Sequence, residues 1–415
     1  MREMKDSGLQ WAGDIPQYWN IAKGKHFMAV LERPVRDDDN VITCFRDGEV
    51  TLRSNRREDG FTVATVEAGY QGIEPGDLVV HGMDGFAGAI GISDSRGKGT
   101  PALNVLSCSE NKKYIMYLLR AMAYTEVFMA LSTGIRVRTC DTNWKKLKSL
   151  DYLIPPADEQ QCIADFLDAK CAEIDALTAD IQTQIDTLEQ YKRSVITETV
   201  TKGLNPNAEM KDSGIQWIGN MPAHWDVIRG KYILRYMQKP VRENDGVITC
   251  FRDGEVTLRS NRREDGFTMS DKEIGYQGID VGDLVVHGMD GFAGSIGISD
   301  SRGKASPVLN VLDTDQCKQY IMYYLRSMAY SDVFLALATG IRVRSCDLRW
   351  NKLAELSYPV PPLNEQNAIV KHIDSVLSKA DAVIADKKAQ LATLDEYKKS
   401  LIFEYVTGKK EVPVS

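Results

Sequence analysis

Apolar residues change their rhythm about halfway through each half of this chain. In the first half they begin as short β-branched runs punctuated by glycine: Val41-Ile42-Thr43, Glu49-Val50-Thr51-Leu52, Asp77-Leu78-Val79-Val80-His81 and Ile90-Gly91-Ile92-Ser93. That pattern predicts strands joined by turns. From Lys113 to Leu131 the apolar residues Ile115, Met116, Leu118, Leu119, Val127 and Phe128 suit a helix lying on that sheet. The stretch up to Pro155-Pro156 is therefore an α+β module.

Beyond those prolines the spacing becomes that of a long helix. From Asp158 to about Lys202 there is no glycine or proline, and Leu167, Ile174, Ile181, Leu188 and Val195 recur every seven residues. Heptads of this kind predict a coiled-coil seam. The second half supplies Ile373, Ala380, Leu394 and Leu401 in the same register, with Val376, Val383 and Tyr397 on companion positions and Lys387 as the exception. About 42 helical residues at ~1.5 Å each span roughly 60 Å, enough to hold two domains apart.

The two halves are copies. Lys5-Asp6-Ser7-Gly8 returns as Lys211-Asp212-Ser213-Gly214 and Glu159-Gln160 as Glu365-Gln366, and 211 − 5 = 365 − 159 = 206, so the register holds without a gap. Val41 to Lys98 differs from Val247 to Lys304 at eight of 58 positions, whereas Asp158 to Thr201 matches Asn364 to Thr407 at 18 of 44. A repeat of this length governs the domain reading.

Composition narrows the chemistry. With 415 residues, 43% hydrophobic and 26% charged, the chain can bury several cores. The opening residues include Arg2, Glu3, Lys5 and Asp6, and no stretch approaches about 18 uninterrupted apolar residues, so the expected address is the cytoplasm, with no membrane partner. Eight cysteines show no C-x-x-C pair, which argues against zinc fingers and disulfides. A net charge of −7 means that any nucleic-acid face is local, or is completed by a partner.

The order of globular domain, Ile154-Pro155-Pro156 with Glu159-Gln160, long helix, and then the same again with Val360-Pro361-Pro362 and Glu365-Gln366, resembles the specificity (HsdS-like) subunits of type I restriction-modification systems. The opening segments Trp11-Ala12-Gly13 to Trp19 and Trp217-Ile218-Gly219 to Trp225 strengthen the resemblance, which spans nearly the whole chain. It implies two target recognition domains, each followed by a long helix, with the helices paired as an antiparallel coiled coil. The expected divisions are a first recognition domain at 1–157, a helix at 158–203, a linker at 204–219, a second recognition domain at 220–363, a helix at 364–408 and a tail at 409–415.

The resemblance also implies double-stranded DNA as ligand and two methyltransferase subunits as partners, with restriction or translocase subunits in complexes that cleave. S-adenosylmethionine belongs to the methyltransferase partners, and this chain is expected to hold no cofactor, no metal and no catalytic residue. In one respect the sequence departs from the family. Its recognition domains are more alike than its helices, where the family commonly shows the reverse.

A search for catalytic motifs supports that expectation. The paired prolines follow Ile154 and Val360, lacking the polar residue of an Asp/Asn-Pro-Pro-Tyr/Phe methyltransferase loop. Gly91 to Lys98 has the wrong spacing for a phosphate loop, and Gly99 stands where Ser/Thr is needed. An enzyme with unrecognised motifs, or a scaffold of another DNA-modification complex, are the alternative readings.

Three duplicated clusters could read DNA. Arg46, Arg53, Asn55, Arg56 and Arg57 recur as Arg252, Arg259, Asn261, Arg262 and Arg263, and arginine forks suit guanine edges and phosphates. Asp47, Glu49, Glu58 and Asp59 balance those charges, so surface ion pairing is the competing explanation. His81, Met83, Asp84 and Phe86, with copies His287, Met289, Asp290 and Phe292, flank a glycine-rich loop that could approach a groove or be a plain tight turn. The third cluster is Arg136 and Arg138 with Arg342 and Arg344, whose alternation places both on one side of an extended strand. Near-identical domains predict a split target with near-identical halves, and the antiparallel helices that the resemblance implies make those halves inverted.

Overall fold

The computed structural model describes residues 2–56, 68–130, 142–262, 274–336 and 348–413. In the first recognition domain, four antiparallel strands lie in the order Met28–Val30, Leu103–Cys108, Leu78–His81 and Ile90–Ile92. Leu78 pairs with Ile92 on one side and with Leu106 on the other. The alternation of the strand sorts its side chains onto two faces. Leu78 and Val80 join the cluster beneath the helix Lys112–Tyr124, while Val79 joins Ile42, Cys44, Val50 and Ile73 on the opposite face. Both faces are covered, which is why Leu78-Val79-Val80 reads as an unbroken apolar run.

Asn111 starts the domain helix by accepting hydrogen bonds from the backbone N–H groups of Lys113 and Tyr114. The helix is shorter than its apolar spacing suggests. It ends at Tyr124, Glu126 takes a left-handed φ of 59°, and a separate turn runs from Val127 to Ala130. The copy breaks at the same place, with Asp332 at φ 55°. Neither glycine nor proline marks the break, so the sequence pattern runs through it.

The hairpin Ile42–Cys44 with Val50–Leu52 is stapled to the sheet by a buried arginine. Arg120 donates from Nε to Ile90 O at 2.8 Å and from Nη2 to Gly48 O at 2.9 Å. Gly48 has a φ of 90°, and a Cβ there would lie 1.8 Å from Arg120 Nη2, so only glycine fits. Arg326 repeats the staple with Ile296 O and Gly254 O. The second domain has the same sheet, in the order Leu234–Met237, Leu309–Thr314, Leu284–His287 and Ile296–Ile298. It begins earlier than its apolar pattern indicates, because Met210–Asp212, within the stretch read as linker, pairs with Asn220–Pro222.

The long helices run from Ala157 to Lys202 and from Leu363 to Val406. The chain divides into two units, residues 1–181 with 389–415 and residues 182–388, so each unit holds one recognition domain and a part of both helices. In the first unit Phe166 meets Tyr405 at 4.5 Å and Lys398 Nζ pairs with Asp175 Oδ1 at 2.6 Å. In the second, Lys387 bonds Gln184 and Lys192 Nζ pairs with Asp381 Oδ1 at 2.6 Å. Residue numbers across these pairs sum to 166 + 405 = 184 + 387 = 571 and 175 + 398 = 192 + 381 = 573, and a constant sum is the mark of antiparallel packing.

Leu167, Ile174, Ile181, Ile373, Ala380 and Leu401 are buried in this packing, and Leu188, Val195 and Leu394 are half-buried. The companion positions need a correction. Val383 and Tyr397 are exposed, and the buried or half-buried row runs one residue later, through Leu377, Ile384, Leu391 and Lys398. Apolar residues at both i+3 and i+4 leave that choice to packing.

Candidate nucleic-acid interface

The motifs that define the repeat turn out to join domain to helix. Trp19 is fully buried and donates from Nε1 to Glu159 Oε2 at 3.0 Å, as Trp225 does to Glu365 Oε1 at 3.1 Å. Gln160 is buried next to it. Its Nε2 donates to Pro155 O at 2.9 Å and Glu110 Oε2 at 2.6 Å, while its Oε1 accepts from Asn111 N at 3.0 Å. Gln366 repeats this with Pro361 O, Gln316 Oε1 and Cys317 N. A glutamine that uses both ends of its amide in this way fixes the start of the domain helix against the start of the long helix.

Each domain is also tied to the end of the other long helix. Tyr114 OH lies 3.0 Å from Leu153 O and 3.2 Å from Val406 O, and Tyr320 OH lies 2.9 Å from Pro359 O and 3.1 Å from Val200 O. Those carbonyls of the last turns would otherwise lack partners. Burial holds both phenols well above their ordinary pKa, so they remain neutral.

The arginine cluster sits on the hairpin. Arg56 stacks over the Phe45 ring at 4.3 Å and pairs with Asp47 at 2.5 Å and Glu49 at 3.1 Å, and Arg262 does the same with Phe251, Asp253 and Glu255. Arg53 Nε and Arg259 Nε each donate to a threonine hydroxyl at 3.3 Å, to Thr43 and Thr249. Asn55 Nδ2 donates to the buried Thr51 hydroxyl at 2.8 Å, matched by Asn261 and Thr257. The acidic neighbours therefore hold Arg56 and Arg262 in one orientation. Arg57, Arg263, Arg136, Arg138, Arg342 and Arg344 lie outside the described residues.

The glycine-rich loop is organised by its histidine. His81 Nδ1 accepts from the backbone N–H of Met83 at 3.2 Å and of Asp84 at 3.1 Å, and His287 does so for Met289 and Asp290. Both bonds need an unprotonated Nδ1. Burial, the largest influence, lowers the histidine pKa in each copy, against the pull of the neighbouring aspartate. Met83 and Met289 point outward, 58% and 55% exposed, whereas Phe86 and Phe292 pack against the domain core.

Arg46 links the two clusters through Asp84 at 2.8 Å, and Arg252 links them through Asp290 at 3.0 Å. In the second domain Arg252, Arg262, His287 and Asp290 line one cleft of about 570 Å³. Two motifs 38 residues apart thus share one surface.

A second cleft, of about 740 Å³, escaped the sequence reading. It lies in the first domain and is lined by Arg33, Tyr70, Gln71, Asn143, Trp144 and Lys145 among others. Its signal was the duplication of Tyr70 and Trp144 as Tyr276 and Trp350. Among the described residues no cluster of His, Cys, Asp and Glu could hold a metal ion. Cys44 and Cys250 are buried and their thiols are pushed up to about 12, so they are unreactive. No described helix is long and apolar enough to cross a membrane.

Two α+β domains, each completed by parts of two antiparallel helices, define a class of architecture. The whole chain matches proteins of that class. A chain assigned as the MjaX type I restriction enzyme specificity subunit of Methanocaldococcus jannaschii is 24% identical over 444 aligned residues, covering 96% of this chain and 95% of that one. The StySPI type I restriction enzyme specificity subunit of Salmonella potsdam is 18% identical, covering 96% and 90%. No family model matches the chain. In fold it is similar to a chain from a solved type I R-M system, with a TM-score of 0.66, 13% identity and coverage of 95% of this chain and 99% of that one. Along nearly its whole length the chain is thus similar to specificity subunits of type I restriction enzymes.

Proposed function

We propose that this chain reads a split DNA sequence for a type I restriction-modification complex and carries no catalytic step of its own. The observation that supports this best is the duplication of one arginine, histidine and aspartate arrangement on two domains, within a fold similar to a chain of a type I R-M system. Arginine and backbone positions fix the duplex, and exposed side chains of the two clefts meet base edges.

Methylation is supplied by two modification subunits that bind S-adenosylmethionine, and restriction subunits join the same assembly where cleavage occurs. The two near-identical domains read near-identical half-sites on opposite strands. The test is DNA binding across a salt series, with and without the modification partner. Specific, salt-dependent binding that strengthens with the partner is expected. Methyl transfer by the purified chain alone would contradict the non-catalytic reading, and absence of DNA binding in the assembled complex would favour a scaffold.

A further inference from the structure

Any difference between the two half-sites must come from side chains that the two domains do not share. Of the eight differing positions between 41–98 and 247–304, residues 63–66 and their copies 269–272 lie outside the described residues. The other four present no new hydrogen-bonding group at the surface. Ala89 and Ser295 are 0% and 1% exposed. Glu74 and Asp280 each pair with an arginine, Arg96 and Arg302. Ala68 with Ile274, and Pro75 with Val281, exchange one apolar group for another.

The rim of the larger cleft is different. Tyr70, Gln71 and Trp144 are duplicated as Tyr276, Gln277 and Trp350, but Asn143 becomes Arg349 and Lys145 becomes Asn351, and on the far side Val30, Glu32 and Arg33 become Tyr236, Gln238 and Lys239. In the first domain Asn143 caps the short helix Trp144–Leu147, accepting from Lys146 N at 3.2 Å, and Lys145 is the exposed cation. In the second domain Arg349 occupies the cap position without a side-chain cap bond and is exposed, as is Asn351. The rim cation has therefore moved two residues along the same helix start and changed from an ammonium to a guanidinium.

Gln71, which lines the first domain's cleft, and its copy at the equivalent place in the second domain add a further observation. Gln71 Nε2 donates to Leu103 O at 2.8 Å, and its copy Gln277 Nε2 donates to Leu309 O at 2.9 Å. Gln277 is 6% exposed, and its Oε1 is buried without a partner. A buried acceptor left in this state is costly, and a ligand amino group would satisfy it.

We infer that this cleft in the first domain, and the equivalent face of the second, contact DNA base edges, and that Lys145 and Arg349 are residues that make the two half-sites differ. Arg349 presents a planar fork suited to guanine O6 and N7, whereas Lys145 presents a point charge from a shifted position. The inference rests on the DNA-reading function proposed above.

The test uses the full chain assembled with its modification partner and maps methylated sites. Exchanging the rim in one domain, Asn143→Arg with Lys145→Asn, should convert the first half-site toward the second at one base position, shifting preference there by about tenfold or more. Arg349→Ala alone should relax one position of the second half-site and leave the first unchanged. Unaltered half-sites in active complexes of both variants would overturn the inference, as would a wild-type target with two identical halves. A wild-type complex without any sequence preference would instead refute the DNA-reading function.

Discussion

Between the two halves of this chain, residues 41–98 and their copies differ at eight of 58 positions, while the long helices keep only 18 of 44, yet both regions hold the same architecture twice. The difference lies in what each region must preserve. A helix pair needs only its contacts, and the surviving identities are largely contacts. Glu159 and Glu365 receive the tryptophans, and Gln160 and Gln366 fix the domain helices. Asp168 and Asp374 accept from Tyr117 and Tyr323. Asp175 with Lys398 and Asp381 with Lys192 form one ion pair, made twice with the helices exchanged, since 175 + 206 = 381 and 192 + 206 = 398. The recognition core has no comparable freedom, because its buried faces and its presented side chains alternate along the same short strands.

The comparison breaks most visibly in the helix packing. Ile384→Asp places a carboxylate in a buried position and should cost about 4 kcal/mol or more, whereas Val383→Asp, one residue earlier but exposed, should change stability by at most about 0.5 kcal/mol. Denaturant unfolding followed by circular dichroism measures both. Equal costs would mean that the seam is misplaced.

Truncating a retained contact should come next. Gln160→Ala leaves the Asn111 N–H and the Pro155 carbonyl without their partner, at about 2 kcal/mol, and Gln366→Ala should match it in the same unfolding experiment. Unequal losses would show that the two junctions are not equivalent.

In the recognition core, Arg56→Ala and Arg262→Ala should each weaken specific DNA binding by about 1 to 3 kcal/mol, by titration with the assembled complex. Wild-type binding by both variants would reduce the cluster to the ion pairs with Asp47, Glu49, Asp253 and Glu255.

Tyr114→Phe and Tyr320→Phe should cost about 1 kcal/mol each, the loss of one hydroxyl from the end of a helix. No loss in melting temperature would indicate that those carbonyls are satisfied without it.

The smallest effect is acid-dependent. Hydrogen bonding to Arg96 is the largest influence holding the Asp39 carboxyl down to about 2, below the unfolded value near ~3.9. Its contribution is therefore complete above about pH 4 and is lost as pH falls through about 2. Asp39→Asn should flatten the fall in stability across that window, and an unchanged pH profile would contradict the assignment.

Much of this was legible in the sequence because burial on both faces leaves apolar runs such as Leu78-Val79-Val80, and because the repeat fixed equivalent positions. The domain helix was read too long, since the break at Glu126 has no glycine or proline to announce it. The second seam row was placed one residue early at Val383 because Val383 and Ile384 offer apolar side chains on adjacent positions, while Val376 and Leu377 are both half-buried. The larger cleft was not legible because Arg33, Tyr70 and Trp144 come from separate segments that only the fold brings together. Charge balance hinted at ion pairing around Arg56 without saying which carboxylates would hold it.

Single-molecule mapping of methylated bases, on DNA modified by the wild-type chain with its partner, tests the central claim most directly. The account predicts a split target whose halves are closely similar inverted copies of each other, differing at the position set by the Lys145 and Arg349 rims. Two unrelated half-sites would contradict it, because surfaces this similar cannot read unrelated sequences.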